Sequence, residues 1–171
     1  MAPLLDIYYV QNDSVFEQAT LPEYFENAAV IKVNDFDSDG DLDLFVGNQA
    51  VTNDFGKIPN SYLLKNTNGQ FTFEQNEELQ KAGMITDALW DDVNGDGDMD
   101  LIVIGEWMSP KFFINSNGIL VEKKLLNSEI KGLWQSIVAF DIDKDGDKDY
   151  LLGNWGINNK FSASEDFPLK L

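Results

Sequence analysis

The sequence predicts an all-β fold, on three observations. A nine-residue acidic pattern occurs three times in one frame, at 35–43, 92–100 and 141–149. Short apolar runs of strand length flank each copy, and Asn-Gly pairs join apolar runs between the copies, the strongest short hairpin signal. No window of helical length carries the period of an amphipathic helix.

The elements follow in order. Ile7-Tyr8-Tyr9-Val10-Gln11-Asn12 and Ser14-Val15-Phe16-Glu17 read as a hairpin. Ala28 to Val33 reads as a strand leading into the first acidic loop, Asp-Phe-Asp-Ser-Asp-Gly-Asp-Leu-Asp (35–43), and Leu44-Phe45-Val46-Gly47 as the strand leaving it. A hairpin of Tyr62 to Asn66 and Phe71 to Glu74 turns at Asn68-Gly69. The set then repeats: Ile85 to Trp90, the loop Asp-Val-Asn-Gly-Asp-Gly-Asp-Met-Asp (92–100), Leu101 to Gly105, and a hairpin of Phe112 to Asn115 and Ile119 to Glu122 turning at Asn117-Gly118. It begins a third time with Gln135 to Phe140, Asp-Ile-Asp-Lys-Asp-Gly-Asp-Lys-Asp (141–149) and Tyr150 to Gly153.

The repeating unit is therefore four antiparallel strands. Its central glycines, Gly40, Gly97 and Gly146, recur after 57 and then 49 residues, a spacing suited to propeller blades. On this frame 1–26 supplies strands 3 and 4 of a first blade, 27–82 a second, 83–131 a third and 132–171 a partial fourth. Closed propellers take about four to eight blades. The chain is expected to form an incomplete propeller of about three blades, either the remainder of a longer propeller or a surface covered in a homodimer.

Composition narrows function. Of 171 residues, 30 are Asp or Glu against 12 Lys, with no Arg and no His, for a net charge of −18. Nucleic-acid binding needs basic clusters and is excluded, and anionic membrane surfaces are disfavoured with it. Without His or Cys the usual zinc ligands, histidine-activated nucleophiles and thiol redox chemistry are unavailable. No apolar run is long enough to cross a bilayer, and Met1 to Leu4 does not begin a secretory signal. The chain is read as cytoplasmic or as a mature segment whose signal lies outside it.

Half of the carboxylates lie in or beside the three loops, and their spacing is that of a calcium cage. Alternate residues of an extended loop place oxygens on one side, glycine at position 6 permits the sharp turn, and a carboxylate at position 9 closes the shell. The expected side-chain ligands are Asp35, Asp37, Asp39 and Asp43 with the Asp41 carbonyl; Asp92, Asn94, Asp96 and Asp100 with Asp98; and Asp141, Asp143, Asp145 and Asp149 with Asp147. Oxygen-only ligation favours calcium over magnesium or transition metals. An EF-hand would need Glu at position 12, which here is Val46, Val103 and Leu152. Loop one shows no basic neighbour in sequence while loop three contains Lys144 and Lys148, so loop one is expected to bind most tightly.

These loops, with Gly47, Gly105, Gly153, Leu21-Pro22-Glu23-Tyr24, Met84 to Trp90 and Gly105-Glu106-Trp107-Met108, resemble the FG-GAP/VCBS repeat family, most of all the bacterial surface proteins grouped with ASPIC/UnbV and cartilage acidic protein. The resemblance implies a calcium-bearing seven-bladed propeller on secreted or cell-surface proteins, binding proteins or carbohydrates rather than catalysing; the chain is expected to be extracellular, or at the bacterial cell surface or periplasm. A literal Gly-Ala-Pro signature is absent.

Blade topology puts the acidic loops at one end of the sheets and the 2–3 and 4–1 connections at the other. Trp107, Trp134 and Trp155 map to that second end, as a ligand surface or as packing, while Trp90 maps to the core. The alternative is a calcium-dependent polysaccharide-active enzyme using paired carboxylates, for which Asp54, Asp87, Asp91 and Glu106 are the acids outside the cages near strand ends.

Overall fold

The computed structural model describes residues 7–12, 15–21, 27–127 and 130–156. β1 (Ile7–Asn12) and β2 (Val15–Thr20) form a separate antiparallel hairpin. The side chains of Tyr8 and Tyr9, residues 22–26, and the strand expected toward Pro168 lie outside the described residues.

The first full sheet runs in sequence order: β3 (Asn27–Asn34), β4 (Asp43–Ala50), β5 (Tyr62–Thr67) and β6 (Gln70–Glu74). The second repeats it with β7 (Met84–Asp91), β8 (Asp100–Met108), β9 (Lys111–Ser116) and β10 (Ile119–Lys123). β11 (Gly132–Phe140) and β12 (Asp149–Asn154) start the pattern again as a third, two-stranded layer, hydrogen-bonded into the second sheet to make six strands where Gly132 and Leu133 of β11 meet Met108 and Glu106 of β8. The molecule is all-β and propeller-like, an open arc of antiparallel sheets.

Strand periodicity explains how these sheets stack. Successive side chains point to opposite faces, so a strand buried on both faces must be apolar throughout. Leu101, Ile102, Val103 and Ile104 of β8 are all 0–1% exposed. Leu101 and Val103 face the first sheet, in a cluster with Phe45, Leu63, Ile85 and Phe113. Ile102 and Ile104 face the third, against Ile137, Trp134, Tyr150 and Leu152. In β4, Phe45 joins the first of these clusters and Val46 packs on the far side with Leu21 and Leu64. Burying one such side chain is worth about 1.5–3 kcal/mol, so the inter-sheet clusters supply the main cohesion.

The glycine after each acidic loop has a steric reason. The strand before each acidic loop carries an extra residue where it passes this glycine: Ala29, Thr86 and Gln135 interrupt the pairing of β3 with β4, β7 with β8 and β11 with β12. A Cβ on Gly47 would lie 2.7 Å from Val30, and one on Gly153 2.6 Å from the Ser136 hydroxyl. On Gly105 it would run into the Met84 carbonyl. A bulge and a bare backbone together bring the two strands close.

One element departs from the all-strand expectation. α1 (Glu77–Gln80) is a single helical turn, with the Asn76 side chain accepting from Leu79 N at 2.9 Å. Asn-Glu-Glu-Leu is an N-cap followed by first-turn acids, a local signal too short to register as periodicity. The turn drops Leu79, 1% exposed, between the first and second sheets.

At its outer face the third sheet is apolar. Val138 (49% exposed), Phe140 (39%) and Leu151 (59%) alternate with the inward Ile137.

Candidate metal centres and the opposite end

Each acidic loop is built by its own carboxylates folding the backbone. Asp35 accepts the N–H groups of Asp39 and Gly40, both at 3.0 Å, and Asp39 accepts that of Asp41 at 3.0 Å. Asp92 does the same for Gly95, Asp96 and Gly97 at 2.8–3.1 Å, and Asp141 for Lys144 and Gly146 at 2.6 and 3.1 Å. Position 6 needs the left-handed region, with φ of 94°, 94° and 102° at Gly40, Gly97 and Gly146.

The loops join the hairpin turns beside them. Asn68-Gly69 and Asn117-Gly118 have positive φ at both residues, the I′ geometry of a two-residue hairpin. The Asp41 carboxylate accepts Asn68 N at 2.7 Å and that of Asp98 accepts Asn117 N at 2.9 Å. At position 9, Asp43 accepts from Phe36 N (3.2 Å) and Asn66 N (2.8 Å), and Asp100 from Val93 N (2.9 Å) and Asn115 N (2.7 Å). Asp43 and Asp100 are both fully buried. Burial raises their carboxyl pKa values, the backbone bonds oppose it, and the neighbouring loop carboxylates push further up. Asp149, by contrast, is exposed, and accepts from Ile142 N at 2.9 Å.

The expected ligands converge in two of the three loops. Single carboxylate oxygens of Asp35, Asp37 and Asp39 lie within 4.8 Å of one another, as do those of Asp141, Asp143 and Asp149. Among the described residues no such acidic triplet forms in loop two, where Asn94 stands at position 3 and its amide donates to Asp96 at 2.8 Å. Oδ1 of Asp37 is buried without a hydrogen-bond partner. Clustered hard oxygens, one of them unsatisfied, suit an oxygen-seeking cation such as calcium.

Loop one is not free of basic neighbours, which corrects the reading from sequence. Lys65, on β5, pairs with Asp37 and also with Asp39 at 3.1 Å. Its ammonium is held protonated by Asp37 first and Asp39 second, and the Asp39 carboxyl is lowered by the Asp41 backbone N–H and by Lys65. Lys65 is 26 residues from Asp39 in sequence, and only the β4–β5 pairing brings them together. In loop three Lys148 turns away from the cage to the buried Asp91, which also accepts the Tyr150 hydroxyl at 3.0 Å. Burial, then Asp91, raises the Tyr150 pKa.

Three of the acids outside the cages hold sheets together. Asp87 pairs with Lys32 of the first sheet at 2.9 Å and accepts Ile137 N of the third at 3.0 Å. Asp91 links the second sheet to Lys148 and Tyr150 of the third. Glu106 accepts Gln49 of the first sheet at 3.1 Å. Asp54 is exposed in the connection after β4, 3.7 Å from Lys57.

The tryptophans divide. Trp134 is half-buried in the cluster between the second and third sheets, its indole N–H donating to Met108 O at 3.0 Å. Trp107 sits within β8 at φ 62°, half-buried, with its indole N–H buried and unpartnered. Trp155 follows β12 and is 52% exposed. Trp90 packs against the main core cluster.

Sequence reasoning did not anticipate Asn115. It is 1% exposed, donates to Phe36 O of loop one (2.7 Å) and Met99 O of loop two (3.0 Å), and accepts Gly118 N (2.9 Å). Its signal was the Asn that both hairpins carry at one position, Asn66 and Asn115.

No curated protein and no solved structure matches the chain. The family described as FG-GAP-like repeat matches residues 35–103 and 92–152, each match opening on an acidic loop and running through the strands after it. With most of the chain spanned by these two overlapping matches, the protein belongs to the FG-GAP-like repeat family.

Proposed function

We propose that this chain is a calcium-stabilised, non-enzymatic binding or scaffold module of a secreted or cell-surface protein. FG-GAP-like repeats are typically extracellular binding modules, and no helix among the described residues is long and apolar enough to cross a membrane. The observation that carries the calcium reading is the pair of carboxylate triplets, Asp35/Asp37/Asp39 and Asp141/Asp143/Asp149. Asp43, Asp92, Asn94, Asp96, Asp100 and Asp145, with the carbonyls of Asp41, Asp98 and Asp147, complete the proposed ligand set. A bound divalent cation supplies positive charge where the fold has concentrated carboxylates.

The blades divide at 27, 83 and 132 in this reading. A further blade or a second copy covers the apolar outer face of β11 and β12. The protein or carbohydrate ligand meets the end opposite the cages, where Trp107, Trp134 and Trp155 lie. Against a polysaccharide-cleaving enzyme, Asp87, Asp91 and Glu106 are committed to contacts between sheets.

The test is a thermal melt with calcium and with excess EGTA. At roughly 1 mM calcium and a Kd of about 10–100 μM, each site adds about 1.4–2.7 kcal/mol, so three sites add about 4–8 kcal/mol. For a domain of this size that is a fall on the order of 10–30 °C on chelation. A melting curve indifferent to EGTA refutes the calcium reading.

A further inference from the structure

The chain is strongly acidic, yet five of its twelve lysines line one cavity of about 390 Å³: Lys81, Lys111, Lys123, Lys124 and Lys131. It lies at the end of the second sheet away from the acidic loops, between the β8–β9 connection and the segment after β10. Among the described residues Glu122 is the one acid in its lining, and it is paired with Lys111 at 2.9 Å. With Lys111 paired and Lys131 also engaged, Lys81, Lys123 and Lys124 still leave the described lining with a positive excess in a protein of net charge −18. Low-dielectric walls focus such a field on an anion.

The rest of the lining states what else the ligand needs. Met108, Pro110 and Phe112 form an apolar wall beside Trp107. Two polar groups of the lining, the Trp107 indole N–H and the Ser109 hydroxyl, are buried without hydrogen-bond partners. Unsatisfied buried donors are costly and rare in folded proteins. Trp107 also holds a left-handed backbone, uncommon for a bulky residue and concentrated at ligand sites. An apolar wall, unsatisfied polar groups in the lining residues and surplus lysine within one concavity of ligand size make a binding pocket.

We infer that this pocket binds an acidic sugar, its carboxylate held by the lysines, its ring against the Trp107–Phe112 wall and its hydroxyls meeting the unpaired indole and Ser109 groups. A bare inorganic anion would leave the wall and donors unused, and a purely apolar molecule would leave the charge unused. The inference rests on the reading of the chain as a binding module, and it is independent of whether the acidic loops take calcium.

The experiment titrates the full chain, in calcium, with galacturonate, tri-galacturonate, galactose, inorganic sulfate and a short poly-glutamate peptide, following Trp107 indole resonances and heats of binding. The expected result is saturable binding of the uronates, weakening with salt, with little binding of galactose. The double variant Lys123→Glu, Lys124→Glu changes two exposed side chains and should weaken uronate binding at least tenfold with the EGTA-dependent melting shift unchanged. Trp107→Phe should weaken it separately. No uronate binding, equal binding by sulfate, preference for the peptide, or indifference to the lysine variant overturns the inference. The melting shift reports on calcium alone, so failure here is distinguishable from failure of the calcium reading.

Discussion

Asn115→Ala should be among the most damaging single changes outside the apolar core. Asn115 makes three side-chain bonds, to Phe36 O, to Met99 O and from Gly118 N, in a site 1% exposed. One of these, to Phe36 O, crosses to the neighbouring acidic loop, while the bond to Met99 O holds its own. Each bond contributes about 0.5–1.5 kcal/mol net, and truncation strands two carbonyls and one N–H where water has little access, which raises the loss to about 3–4 kcal/mol. Its counterpart Asn66 is half-buried and makes two local bonds, to Leu42 O at 3.0 Å and from Gly69 N at 2.8 Å. Asn66→Ala should cost about 1–2 kcal/mol, because water replaces part of what is lost. Urea denaturation of both variants in calcium buffer reads the difference directly, and calorimetry should show a melting temperature about 6–16 °C lower for Asn115→Ala. Equal losses at the two positions would refute the claim that Asn115 joins the first two loops.

Two further outcomes follow from contacts invisible in sequence. Lys65→Met removes the ammonium that pairs with Asp37 and Asp39 while keeping the aliphatic stem, so calcium should bind loop one several-fold more tightly; a chelator-competition titration showing unchanged or weaker binding would count against it. Gly105→Ala drives a methyl group into the Met84 carbonyl and to 2.8 Å from the Met108 sulfur, costing about 3 kcal/mol or more, whereas Gly153→Ala meets the movable Ser136 hydroxyl and should cost less by the same urea assay.

The sequence by itself determined the local architecture. Short apolar runs, Asn-Gly pairs and the Asp-rich nonapeptides each encode a structure over fewer than ten residues: a strand, a I′ turn, a carboxylate-folded loop. Strand boundaries in the repeats accordingly fall within a few residues of those expected. Steric and hydrogen-bond preferences act between near neighbours in the chain, and such preferences are written in order along it.

Tertiary structure alone decided what surrounds each loop. Lys65 reaches Asp39 because β5 pairs with β4, and Asn115 reaches Phe36 because the second sheet stacks on the first. The lysines at 81, 111, 123, 124 and 131 come from four segments and share a cavity only after the sheets assemble. Electrostatic and hydrogen-bond energies depend on distance in space, and a position whose local signal is merely "polar, on a strand" carries no record of the partner it will meet. The same sequence that displays three nearly equal loops therefore folds into three unequal ones: one with a lysine paired to two of its carboxylates, one with an asparagine amide on Asp96, and one whose Lys148 turns to Asp91 instead.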